Sequence, residues 1–349
     1  MSTTADKRSR SSVPWSSFWP GFWKAPHRPL MLCSVMAALV GPLLAGTDPQ
    51  LHARLLVFGF AGAAIGAYLL TVLPGWTKVR ATPARLGLLV ALWLWGRLMP
   101  GPAEALYFIG LSFTLAPPIL RAGLYGRLWA PLAPLLLALA TLRPDLPVES
   151  TPLLLAALVA TVGARALPAF LASATGHPQP PDNLALYLSA PLLILGAIAL
   201  PHPAWLVLAA LILLGQMLRW PLIAPPLGTM LLPPWLWLMA ALLLMATSDG
   251  NPSHALHMMT IGAIGGMIHA FISRIFARRG AATLIAQPAS LIAAATLHAA
   301  ALARLLDAVS LALVFWVICW GITLAQLIIH CRQQPQVPVF IGSRKKQTK

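Results

Sequence analysis

The chain consists mostly of long apolar blocks, which are separated by short polar or proline-rich joints. The blocks run for about 17 to 23 residues, the length of a helix that crosses a hydrocarbon core of roughly 30 Å. Joints such as LAPPIL, TGHPQPPD and WPLIAPPLG are typical of helix boundaries, because proline cannot continue a helix. The pattern predicts about twelve membrane-spanning helices, at residues 29–46, 52–73, 84–99, 103–120, 128–142, 151–171, 184–200, 203–219, 227–246, 254–276, 283–303 and 309–330.

Composition supports an all-α polytopic membrane protein. Of the 349 residues, 58% are hydrophobic and only 9% are charged, whereas soluble domains have about 25% charged residues. We expect three regions: an aromatic and basic cytoplasmic or interfacial segment at 1–28, a helical bundle at 29–331 and a basic cytoplasmic tail at 332–349. Three cysteines without CxxC spacing support neither a disulfide framework nor a thiolate metal site.

The basic residues indicate the orientation of the chain. The net charge is +16, but lysine and arginine lie between apolar blocks, so they report membrane topology and not a nucleic-acid partner. With the N-terminus inside, 19 of the 24 basic residues fall on the cytoplasmic side and four fall on the outer side. Arg165 lies within a span. Because Lys and Arg collect on the cytoplasmic side of short loops, both termini are predicted to be cytoplasmic.

Histidines mark the tenth predicted helix as the best candidate for chemistry. His254 and His257 are three residues apart and share a helix face, and His269 lies deeper on nearly the same face. Ionisable residues inside spans are costly, which makes them functional candidates. Gly262 and Gly266 form a GxxxG pattern that permits close approach of a neighbour, and plain helix packing accounts for it equally well.

The predicted topology places further histidines on the same, outer side: His52, His202 and His298. Neutral imidazole is a common ligand of haem iron and copper, so a shared side is compatible with a metal site. Taken singly, each histidine is more often an interfacial or hydrogen-bonded residue. No CxxCH, HExxH or Rossmann glycine motif occurs, which leaves c-type haem, a zincin and a nucleotide dehydrogenase without support.

Four separated stretches resemble the NnrS family in order, spacing and helix context, and the resemblance covers residues 18 to 320 approximately. They are FGFAGAAIGAYLLTVLPGWTK (58–78), ALWLWGR (91–97), ATVGARALPAFLAS (160–173) and HMMTIGAIGGMIHAFISR (257–274). The resemblance implies a multi-pass protein of the bacterial inner membrane that contains haem b and copper. It also implies a role in denitrification or in protection against nitric oxide and nitrosative stress, with nitric oxide or other small nitrogen oxides as ligands.

The resemblance also implies site residues. His257 and His52 match family histidines and would be metal ligands, with His254, His298 and His269 as further candidates. The residues that match other family motifs would contact the cofactor; they are Trp76, Arg97, Arg165 and Arg274. An arginine facing the bundle interior can pair with haem propionates, although Arg97 and Arg274 could equally snorkel to lipid headgroups.

Several family positions differ in this chain. HARL stands where the family has His-x-His-Glu, so Arg54 and Leu55 replace a histidine and an acid. Two further family histidines are missing, one in the stretch FARRG and one in the stretch LGTMLLPPWLWLM. A fixed positive charge at Arg54 disfavours a nearby metal cation. This would fit a chain that has fewer metal sites than the family, or none.

Two functions therefore stay open at this point. The first is a haem or copper protein that senses, binds or helps to remove nitrogen oxides. The second is a metal-free permease or assembly factor, in which Arg165, His269 and Gln216 line a pathway near the membrane midplane. The predicted spans contain almost no Asp or Glu. This favours the haem or copper protein over a permease, because proton relays in transporters use such acids.

Overall fold

The computed structural model describes residues 21–99, 101–143, 145–176, 183–248, 252–279 and 284–332. Helices account for nearly all of this structure, and a two-residue antiparallel ladder pairs β1 (Arg278–Arg279) with β2 (Leu284–Ile285). The helical segments are α1 (His27–Leu44), α2 (Pro49–Thr77), α3 (Pro83–Leu98), α4 (Pro102–Arg121), α5 (Tyr125–Leu142), α6 (Ser150–Thr175), α7 (Leu184–Ala199), α8 (Pro203–Met217), α9 (Pro226–Thr247), α10 (Ser253–Phe276), α11 (Pro288–Leu305) and α12 (Val309–Cys331).

Each predicted block corresponds to one helical segment, which confirms the all-α polytopic class. Within the described residues, nine segments are long and apolar enough to cross a membrane. The remaining three, α3, α7 and α8, have 15 or 16 residues. The number of true spans and the side of each terminus stay predictions, and residues 1–20 and 333–349 of the two terminal regions lie outside the described residues.

Proline sets where many helices begin. Pro49, Pro83, Pro102, Pro203 and Pro288 each occupy the first turn of their helix, where the missing N–H would have no partner in any case. The prediction of a helix boundary at LAPPIL is wrong, because Pro117 and Pro118 lie inside α4. Proline is tolerated there because neighbouring helices and side chains can satisfy the carbonyls that it frees.

The bundle closes on itself, since α12 packs against α1 as well as against α11. Trp316 Nε1 donates to Ala38 O at 2.7 Å, and Arg28 donates to the carbonyls of His330 and Cys331. These donors satisfy carbonyl groups that the hydrocarbon cannot hydrogen-bond. The first and last helices are therefore joined by polar contacts at both of their ends.

Candidate functional site

Two π-helical segments distinguish α2 and α10 from the other helices described. They are Leu55–Ala61 in α2 and Met258–Gly265 in α10. One begins three residues after His52 and the other begins directly after His257. π-Helical turns are rare overall but are often found at functional sites. The starts of α2 and α10 are therefore the leading candidates for a functional site.

α2 and α10 run in the same direction through the bundle. Near their N-terminal ends, His52 lies within electrostatic range of His257. Further along, the rings of Tyr68 and Phe271 contact each other with centroids 5.1 Å apart. The two π-helical segments therefore lie at similar heights in the bundle.

His52 and His257 have the same hydrogen-bond arrangement. Nδ1 of His52 lies 3.0 Å from Gly41 O, and Nδ1 of His257 lies 2.7 Å from Ser253 O. A carbonyl oxygen only accepts, so in each ring Nδ1 carries the proton and Nε2 keeps its lone pair. Metal-bound histidines commonly use this tautomer, with the other ring nitrogen held by a carbonyl or carboxylate.

The other three predicted metal ligands have different surroundings. His254 Nε2 lies 3.0 Å from Asp307 Oδ1, and this hydrogen bond, together with Arg304, holds the pKa of Asp307 below its usual value. His298 Nδ1 accepts from Trp237 Nε1 at 3.2 Å, so its neutral ring carries the proton on Nε2. His269 is buried, with its ring edge-on to Trp320 at 6.2 Å.

These five histidines do not form one cluster. In the part of the chain that the structure describes, no group of three or more His, Cys, Asp or Glu side chains has metal-binding geometry. His52 and His257 lie within electrostatic range of each other, and in both rings Nε2 keeps its lone pair.

Side chains from three helices hold the π-helical segment of α2. Trp93 Nε1 donates to Gly59 O at 3.0 Å, and Ser34 Oγ donates to Phe60 O at 2.8 Å. Just beyond the segment, the Tyr107 hydroxyl donates to Gly62 O at 3.1 Å. Such donors satisfy carbonyls where the change from α to π pairing disturbs the regular ladder.

We expect Tyr107→Phe to lower the free energy of unfolding by about 1 to 2 kcal/mol, since Gly62 O would lose its buried side-chain donor. Tyr125→Phe is the matched control, because Tyr125 is 69% exposed and should change little. Thermal unfolding of both variants in detergent checks this expectation, and equal midpoints for the two variants would contradict it.

Arg97 belongs to a buried ionic triad with Arg54 and Glu104. Glu104 is 1% exposed and forms ion pairs with both arginines; its Oε1 lies 2.6 Å from Arg97 Nη2. Arg97 Nη1 also donates to Arg54 O at 3.3 Å. Gly96 permits this packing, since a Cβ there would lie 2.9 Å from Glu104 Cα. Arg97 therefore does not snorkel to headgroups, and its guanidinium already has a carboxylate partner.

Trp76, Arg165 and Arg274 lie toward the other end of α2 and its neighbours. Arg274 is 7% exposed, with its guanidinium carbon 3.7 Å from the centroid of Phe170, so the snorkelling interpretation is also wrong for this residue. Arg165 donates to Gly126 O at 3.4 Å and lies over the ring of Tyr187, while Trp76 lies under Arg127 at 4.4 Å.

Seventeen residues separate His257 from Arg274, which is about 25 Å along a helix. The predicted cofactor contacts therefore divide between two ends of the bundle. Arg97 lies near His52, through its hydrogen bond to Arg54 O. Arg274 contacts a separate aromatic region that includes the ring pair of Phe170 and Phe271, 5.7 Å apart.

Comparison with known proteins agrees with this architecture. A family model described as NnrS protein matches residues 21–332, nearly the whole of the described chain. No curated protein sequence matches the chain.

Proposed function

The chain belongs to the NnrS family, and from that premise we propose that it binds haem b or copper through His257 and His52. We further propose that it acts in the bacterial inner membrane in the response to nitric oxide, or in denitrification. The observation that carries the proposal is the shared tautomer of the two histidines, which leaves both Nε2 atoms free to bind a metal.

The residues around the pair fit such a group. Gly41 O and Ser253 O fix the orientation of the two rings, and the helix starts that carry them lie at the same end of the bundle. The objection that Arg54 repels a metal cation remains, because Glu104 neutralises only one of the two guanidinium charges of Arg54 and Arg97 and the triad keeps one net positive charge. Haem iron or copper would supply the binding of nitric oxide, and the protein would supply position and electrostatics.

The first test is a reduced-minus-oxidised visible spectrum with metal analysis on purified protein, for the wild type, His257→Ala and His52→Ala. We expect a haem or copper signal in the wild type that falls at least tenfold in each variant, as expected for loss of a ligand. His202→Asn is the matched control, because His202 is exposed and its Nδ1 accepts from Ala204 N at the start of α8. Asparagine preserves that cap.

Two results would contradict the proposal. One is folded wild-type protein that is colourless and free of metal after expression with ample haem and copper. The other is a signal that survives both alanine substitutions. The first result would favour the metal-free permease or assembly factor, and the second would show that residues other than His52 and His257 hold the metal.

A further inference from the structure

A half-open cavity of about 560 Å³ lies between the end of α2 and the facing surfaces of α3 and α4. It is separate from the histidine pair, since its walls come from the opposite end of α2, at Thr77 and Val79. Small-molecule sites are typically cavities of roughly 300 to 1,000 Å³.

Two arginines mark the polar end of this cavity. Arg85 is in the first turn of α3, and Arg121 is the last residue of α4. Both line the cavity and both are exposed. Among the residues that the structure describes, neither side chain has an acidic partner. The cavity entrance therefore carries two positive charges that no carboxylate of the described residues neutralises.

The remaining walls are mostly apolar and continue toward the middle of the helices. Leu88 and Phe113 are 59% and 72% exposed, and Leu89 is buried behind them. Eight residues separate Phe113 from Arg121, about 12 Å along α4. A ligand that fills this cavity must be negatively charged at one end and apolar over the adjacent 12 Å or so.

We propose that the cavity binds an anionic phospholipid, with the headgroup phosphate between Arg85 and Arg121 and an acyl chain along Leu88 and Phe113. Guanidinium groups bind phosphate through charge-assisted hydrogen bonds, and basic pockets between membrane helices on the cytoplasmic side bind such headgroups. The predicted topology places these helix ends on that side. A free phosphate ion would leave the apolar wall without a partner.

Native mass spectrometry of the full chain in detergent, with added dioleoylphosphatidylglycerol, tests the proposal. We expect one lipid to be retained, and dioleoylphosphatidylcholine to be retained several-fold more weakly because its headgroup has no net charge. Arg85→Gln and Arg121→Gln should each weaken retention by about fivefold, the usual effect of one basic residue near anionic lipid. Arg219→Gln, an exposed arginine at the end of α8 that does not line the cavity, should change nothing.

The proposal fails if phosphatidylcholine is retained as strongly as phosphatidylglycerol, or if Arg219→Gln weakens retention as much as the cavity variants. Competition with free glycerol 1-phosphate separates a lipid site from an anion site. Full displacement of the lipid by millimolar glycerol phosphate would also overturn it, because the apolar wall would then contribute nothing. Equal unfolding midpoints among the variants would show that any lost binding is local.

Discussion

Glu104→Ala is expected to be among the most damaging single substitutions in this protein. The change leaves the guanidinium groups of Arg54 and Arg97 close together without their carboxylate, at a position where Glu104 is 1% exposed. Removing one partner of a buried ionic group typically costs about 3 to 5 kcal/mol, because the remaining charge is left uncompensated. Thermal unfolding in detergent should show a large loss of stability.

An exposed ion pair in the same chain provides the control. Arg143 and Asp145 form a bidentate pair with about 60% of each side chain exposed, and their hydrogen bonds lower the pKa of Asp145 to about 2. We expect Asp145→Ala to leave the unfolding midpoint nearly unchanged, because solvent screens exposed pairs. Comparable losses in Asp145→Ala and Glu104→Ala would contradict the idea that burial of the triad matters.

Gly262→Val is the second substitution for which we expect a large effect. Gly262 lies in the π-helical segment of α10, and a Cβ at this position would lie 2.5 Å from Cγ of Trp237 on α9. The Trp237 indole cannot withdraw freely, because it donates to His298 Nδ1. Overpacking of a close-packed core costs about 1 to 3 kcal/mol and occasionally more, and we expect the upper part of that range.

Gly321→Val is the matched glycine control within a span. Apart from the adjoining residues and backbone of its own helix, no atom lies within 4 Å of the position that a Cβ would occupy at Gly321, so valine should be tolerated there. Unfolding midpoints of the two variants separate the two cases. Tolerance of valine at both positions would show that α9 and α10 can move apart at little cost.

The helices themselves were predictable from the sequence because their signals are local. Apolar length sets where a membrane helix can be, and proline in the first turn sets where it begins, as at Pro49 and Pro203. The GxxxG at Gly262 and Gly266 also indicated correctly that a neighbour approaches closely, since Trp237 and Pro234 lie against it.

The candidate site was less predictable because its contacts join distant parts of the chain. Arg54 and Glu104 are 50 residues apart, so no local sequence pattern indicates that their charges pair. The tautomer of His52 depends on the carbonyl of Gly41 in another helix. The π-helical segments left no signal in composition, because the same small and apolar residues form ordinary α-helix elsewhere in this chain.

The contact between α1 and α12 has a consequence for the order in which this protein is made. Arg28 donates to the carbonyl of Cys331, which lies 303 residues further along the chain. At 5 to 20 residues per second, about 15 to 60 s of translation separate the two. During that interval the two carbonyls to which Arg28 donates, those of His330 and Cys331, have not yet been made. The ribosome must finish nearly the whole protein before α1 acquires its final neighbour.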